Sequence, residues 1–253
     1  MDLQVKARLR WRLNLLCRAC LSVSEIKRIV EDKLAEEKEF SYNSHRLNYF
    51  FHSYNNFGLT ERAIEVPLIR YYLEQADYRN VLEIGNVTNH YYDYYRQSFI
   101  GKNKTTVDKF EPGYGVINAD IAEYGPGVKF DFIYSISTFE HMDSDLGRNP
   151  DYVEGSSRLI SVAADNIKYV SDVLLQNGGK FVITAPLGYT PEWDLTFYSD
   201  DLERCNCSKL RRYLLKRKKE LTWEQVNVEE GRTAPFDPHL PYREYLSILE
   251  FDK

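Results

Sequence analysis

Val5, Leu9, Leu13, Leu16 and Cys20 recur at steps of four, four, three and four, which lines one helix face, while Arg8, Arg10, Arg12 and Arg18 fill the remainder. Such a basic amphipathic helix packs on its own domain, seats a second copy in a homodimer, or lies on an anionic membrane surface through residues 1–20. A second, charge-rich helix is expected over 24–39, solvated on one side. Residues 41–58 are polar and aromatic without a period and read as a loop or cover segment. The chain therefore divides into a helical extension with its cover, 1–58, and a main domain, 59–253. Helical spacing returns over 60–75 through Ala63, Val66, Ile69, Tyr72 and Leu73, with Thr60 available as an N-cap. Pro67 falls inside this segment, where its ring kinks a helix.

After Asn80 the pattern becomes short apolar runs separated by helical or turn-rich stretches. The runs 81–84, 105–107, 130–136 and 180–185 read as buried strands. Leu159, Val162, Ala163, Ile167, Val170 and Leu174 mark a crossover helix over 156–175. Strands alternating with helices call for an α/β fold, a parallel sheet covered on both faces. Residues 221–228 and 242–251 lack an intervening helix and read as an antiparallel pair closing one edge.

Composition narrows the class. Of 253 residues, 43% are hydrophobic and 28% charged, which calls for a packed core rather than a disordered or fibrous chain. The formal net charge of −5 gives no general reason to hold nucleic acid. No apolar run approaches the roughly 18 to 20 residues of a membrane span, and the N-terminal apolar stretch is interrupted by Arg18, so the chain reads as a cytoplasmic protein. Twenty tyrosines suit semi-polar pockets and interfaces. Cys17 with Cys20 and Cys205 with Cys207 are either two halves of a zinc site or reduced thiols packed as small hydrophobes; no disulfide framework is implied.

In an open α/β sheet the ligand sits beyond the carboxyl ends of the strands. The first such loop is Glu83-Ile84-Gly85-Asn86-Val87-Thr88-Asn89-His90. Gly85 allows a turn and close approach of a ligand to the backbone. A dinucleotide fingerprint needs glycine again where Val87 and His90 stand, so NAD and FAD are disfavoured and a nucleoside without a diphosphate is not. The second strand ends at Asp108-Lys109. There the carboxylate either accepts hydrogen bonds from both hydroxyls of a ribose or is an ordinary loop acid. In Asn118-Ala119-Asp120-Ile121, Asp120 is placed to accept from an adenine amine and Ile121 to lie against the base. The third long run ends Ser135-Ile136-Ser137-Thr138-Phe139-Glu140-His141, whose small polar residues and acid–imidazole pair fall in the mouth of the crevice.

These residues carry a resemblance. From about Tyr78 to Pro186 the chain resembles the class I S-adenosylmethionine-dependent methyltransferases, through V-L-E-I-G, the acid Asp108, N-A-D-I, F-D-F-I-Y-S-I-S-T-F-E-H-M and G-G-K-F-V-I-T-A-P. Over about 60–228 it is similar to bacterial methyltransferases associated with surface-polysaccharide or other glycan genes, through E-R-A-I-E-V-P at 61–67, L-E-I-G-N-V, V-D-K-F-E, S-I-S-T-F-E-H and T-A-P-L-G-Y. The resemblance implies a Rossmann-like seven-stranded, mostly parallel sheet with an antiparallel C-terminal edge strand, and S-adenosyl-L-methionine as cofactor. It implies that Glu83, Gly85 and Asn86 border the methionine moiety, that Asp108 with Lys109 holds the ribose side, that Asp120 and Ile121 meet adenine, and that Ser135 and Ser137 lie near the cofactor. Val87 departs from the commoner E-x-G-x-G-x-G, which bears on the exact cofactor contacts.

Methyl transfer is an in-line displacement, so alignment supplies much of the acceleration and a hydroxyl acceptor gains from a base. His141 is the candidate base, with a structural cap of the strand end as the alternative; Glu140 orients it or binds a cofactor group. Among Tyr91, Tyr92, Tyr94 and Tyr95, one or two are expected near ligand, with Tyr92 the candidate for substrate. Arg62, Tyr189 and Asp194, together with His52, Tyr54 and Trp193, are candidates for the acceptor side, which is read as a small molecule or glycan. Asp143, Asp145 and Asp194 specify no metal site by their spacing, and no metal is expected. The basic run 209–219 is read as a solvated edge, with RNA as the alternative acceptor and a non-catalytic methyltransferase-fold scaffold as the other reading.

Overall fold

The computed structural model describes residues 38–52, 60–142, 161–218, 222–234 and 243–253; residues 1–37 of the two expected N-terminal helices, residues 156–160 of the expected crossover helix, Tyr54, Cys17, Cys20, Asp143 and Asp145 lie outside the described residues, and Glu39, expected to end the second helix, begins a strand. The first elements are β1 (Glu39–Tyr42) and β2 (His45–Asn48), an antiparallel hairpin pairing Tyr42 with His45. Asn43 and Ser44 take φ of 47° and 67°, the two successive left-handed residues that match a two-residue turn to the twist of its strands. A hairpin thus stands where a loop was expected. Phe40 and Tyr42 point into the core and Glu39 and Ser41 outward, an alternation too short to stand out in a polar, aromatic stretch.

Helix α1 (Arg62–Gln75) buries Ile64, Val66, Leu68, Ile69, Tyr72 and Leu73. Pro67 has no N–H for the Ala63 carbonyl. That carbonyl accepts instead from the Phe50 N–H at 2.9 Å, so the proline marks where the cover segment is tied to the helix. Then follow β3 (Asn80–Ile84), the short α2 (Tyr92–Tyr95), β4 (Asn103–Val107), β5 (Val116–Ile117), β6 (Phe130–Ile136), α3 (Phe139–Met142) and α4 (Ser161–Tyr169) with a wider turn over Val170–Leu174. The chain closes with β7 (Leu175–Pro186), α5 (Pro191–Phe197), β8 (Lys209–Arg217), β9 (Trp223–Val226) and β10 (Tyr245–Asp252).

The main sheet runs β5-β4-β3-β6-β7-β10-β8-β9. Pairs from β5 to β7 are parallel, and β10 is antiparallel to both β7 and β8. This is a Rossmann-like α/β fold, with the mostly parallel sheet and antiparallel C-terminal strand expected. Two details differ. Among the described residues this sheet has eight strands rather than seven, because β9 adds to β8. The segments 221–228 and 242–251 also do not pair directly: β8 lies between them. β8 is the basic run, and it enters the sheet because its charges are matched. Arg211 pairs with Glu250 and Asp252, and Lys180 meets the same two acids from the other side.

One sheet face is covered by α1 and the hairpin, with Phe40, Tyr42, Tyr72, Phe132 and Tyr134 in a shared core. The other packs Ile84, Ile133, Ile167, Phe181, Trp193 and Phe251 beneath α4 and α5. Cys205 is a buried free thiol in that second core. The strand order reverses on either side of β3 and β6, which places the crevice at their carboxyl ends.

Candidate functional site

A cavity of about 620 Å³ opens at that reversal. The loops after β3, β4 and β6 build it, with α1 and α4 contributing Arg62, Val162 and Asn166.

Gly85 has φ 92°, and a Cβ there would stand 2.1 Å from Thr138 Oγ1. Glycine is required by this approach of the β3 and β6 loops as well as by the turn itself. Below the turn, the buried Glu83 carboxylate accepts from the Val87 and Thr88 N–H groups at 3.0 and 2.6 Å and from the Thr88 hydroxyl at 2.6 Å, and pairs with Lys104 at 2.7 Å. Glu83 therefore does not line the cavity; it fixes the loop that does. The same holds for Ser135, which is fully buried and donates to the Ile84 carbonyl at 2.9 Å.

Asp108 lines the cavity beside Asn86, Lys109, Asp120 and Ile121. Its Oδ1 accepts from the Phe110 and Glu111 N–H groups and its Oδ2 from the Asn86 N–H at 3.0 Å. It thus ties the β3 and β4 loops together and keeps acceptor capacity on Oδ2. Asp120 caps the short helical turn after it through the Ala122 N–H and pairs with Lys109 at 3.0 Å. Partial burial opposes the Asp120 charge, but these two partners outweigh it and hold the carboxyl below its ordinary range. His90 Nε2 and Glu111 Oε1 meet at 2.8 Å on the cavity wall.

At the β6 end, Ser137 takes φ 39° and lines the cavity with Thr138, His141 and Met142. The Ser137 hydroxyl donates to Glu65 at 2.8 Å; so does Thr184, from the end of β7. Glu65 is fully buried on α1 and pairs with Arg62 at 2.5 Å. Burial raises the Glu65 carboxyl above its usual range despite Arg62. Glu140, equally buried, is pushed well above that range by burial and by the Glu65 charge, and its Oε2 has no hydrogen-bond partner. Glu140 Oε1 lies 3.8 Å from His141 Nε2. Thr138 lies in the segment the sequence places at the crevice mouth, whereas Glu65 and Thr184 are absent from the sequence-based candidates. No pattern in the sequence singles out Glu65, which shares a helix with the apolar stripe.

His141 is half-exposed in the cavity and packs edge-on against Tyr189 at 4.7 Å; Tyr189 itself is not a lining residue. Asp194 is not a lining residue; both its oxygens accept from the Gly188 N–H, and burial raises its carboxyl to about 6. Tyr92 is 59% exposed and off the cavity. Tyr95 bonds the Val66 carbonyl, Tyr94 stacks with Arg70, and Trp193 donates to Ser247 in the core, so these three serve packing. His52 stacks on Phe50, away from the cavity wall. In the basic run, Arg211, Arg212, Lys216 and Lys218 are each paired with an acid, which reduces the charge those four offer a polyanion. Among the described residues no cluster of metal-ligating side chains occurs, and no helix is long and apolar enough to cross a membrane.

No family model matches the chain, and no curated protein does either. Solved structures of similar shape include the N-methyltransferase NodS from Bradyrhizobium japonicum WM9 in complex with S-adenosylhomocysteine, at 15% identity and TM-score 0.46, covering 76% of this chain and 87% of that one. The plantazolicin methyltransferase BpumL in complex with S-adenosylhomocysteine aligns at 11% identity and TM-score 0.41 over 73% and 80%. An O-methyltransferase family protein from Burkholderia thailandensis aligns at 10% and 0.43 over 76% and 56%.

Proposed function

We propose that the protein is a class I S-adenosylmethionine-dependent methyltransferase acting on a small-molecule hydroxyl, with a sugar or glycan precursor as the acceptor class implied by the sequence resemblance. The observation that carries this reading is a single cavity at the strand-order reversal, lined together by Gly85, Asp108, Asp120, Ile121, Ser137 and His141. Its chemistry suits a sulfonium nucleoside better than a dinucleotide. Val87 and His90 stand where a diphosphate would need bare backbone, and Asp108, Glu111 and Asp120 outnumber the bases Arg62 and Lys109 on the wall.

S-adenosylmethionine supplies an activated methyl carbon when bound. Asp108 would accept from its ribose hydroxyls, and Asp120 with Ile121 would receive its adenine. The buried Glu83 keeps the Gly85 loop in the conformation that leaves room for the ligand. Met142 and Val162 exclude water from the reacting end. His141 takes the proton of the acceptor hydroxyl as the new bond forms, with Tyr189 fixing its ring and Glu140 beside it. A mass screen of sugars and nucleotide sugars incubated with enzyme and donor identifies the acceptor. His141→Ala is then expected to keep its affinity for S-adenosylhomocysteine and to slow turnover by roughly 10²- to 10⁴-fold; unchanged turnover removes His141 from the mechanism.

A further inference from the structure

The imidazole at position 141 has a support that reaches from the cavity back into the protein. His141 stands on the four-residue helix α3 with its side chain 49% exposed, so the helix alone does not hold its ring in one orientation. The Tyr189 ring meets it at 75° with centroids 4.7 Å apart. The Arg243 guanidinium lies over the same Tyr189 ring, its Cζ 5.0 Å from the centroid. Arg243 is 5% exposed, and a cation so enclosed is costly to bury unless its surroundings compensate it. The negative face of an aromatic ring is one such compensation. Asp194, whose carboxyl feels the Arg243 charge, is another.

The backbone around Tyr189 is fixed on both sides. The Leu187 N–H donates to the Tyr245 carbonyl at 3.0 Å, at the start of β10, and the Gly188 N–H donates to Asp194 on α5. The Thr190 hydroxyl donates to the Glu140 carbonyl at 3.1 Å, one residue from His141. Tyr189 is thus carried by a loop pinned to β10, α5 and α3, and its ring touches both the imidazole and the guanidinium. We infer that Arg243 is a positioning residue for His141: it holds the Tyr189 ring against the imidazole and so fixes the orientation that His141 presents to the cavity. Neither Arg243 nor Tyr189 lines the cavity, so both act through His141. The inference rests on the reading of His141 as the base of the proposed reaction.

The test is NMR of the histidine rings in the full chain without ligand. The chain has five histidines, and the His141 signal is the one lost in His141→Ala. In wild type that signal is expected to be displaced by the Tyr189 ring current, and Tyr189→Leu should return it to the position of an exposed histidine. Arg243→Gln should move it part of the way in the same direction and Arg243→Lys less far, while the signals of His45, His52 and His90 stay. With S-adenosylmethionine and the acceptor found by the mass screen, Arg243→Gln should lower kcat roughly 10-fold and leave the donor KM unchanged, with partial rescue by Arg243→Lys. A His141 signal unmoved by Arg243→Gln overturns the assignment, as does an equal movement of all the histidine signals, the mark of a loosened fold. If Arg243→Gln does not fold, Arg243→Met, which keeps a long apolar stem in the buried position, decides by the same criteria. Turnover unchanged in His141→Ala overturns the base reading instead, so the two failures are told apart.

Discussion

A methyl group at position 85 would press on Thr138 Oγ1 from 2.1 Å, on a backbone already turned to φ 92°. Gly85→Ala is therefore expected to lose about 1–3 kcal/mol of stability and to spread the β3 and β6 loops. A denaturant titration checks this, and an unchanged midpoint would show that the approach is not tight. The residues that mark strand ends, Gly85, Asp108, Ser137 and His141, were legible in the sequence because an apolar run that stops abruptly shows where the next side chains must be. Their partners were not. Nothing local to Glu65 says that two hydroxyls from distant strands will meet it, so a charged helix residue reads as solvated until the fold brings Ser137 and Thr184 to it. Glu83 shows the converse: it stands in the right motif, yet its carboxylate is used up on the backbone of its own loop.

Among the elements, strands with clean apolar runs were found to within a few residues, and the crossover helix continues to Leu174 as its apolar spacing required. β8 was missed as a strand for a physical reason. Its side chains are mostly charged, and only cross-strand pairing with Glu250 and Asp252 makes the sequence K-L-R-R-Y-L-L-K-R tolerable inside a sheet. The hairpin was missed because four residues give too few alternations. The connection from β7 to α5 offers a test at this scale. Asp194 in the first turn of α5 accepts from Gly188, and burial lifts its carboxyl from an ordinary 3.8 to about 6. The folded form therefore binds a proton more tightly than the unfolded chain between those values. Its contribution to stability is fully present at low pH and is lost as pH rises through about 6. Thermal melts should show Asp194→Asn gaining on wild type between pH 4 and pH 7; a difference independent of pH would contradict the shift.

For the whole molecule, the sheet order and the two covered faces determine where a ligand can go, and the described charges limit what it can be. Arg211 and Arg212 of the basic strand are paired with acids, the cavity wall carries more acids than bases, and its loops lack the glycines a diphosphate needs. These features fit the sulfonium nucleoside proposed as the ligand. The most direct measurement is a crystal structure of the protein grown with S-adenosylhomocysteine. The account predicts one ligand in the cavity, its ribose on Asp108, its adenine between Asp120 and Ile121, and its sulfur over Gly85. A cavity filled by the protein's own side chains, or a ligand bound elsewhere, would contradict it.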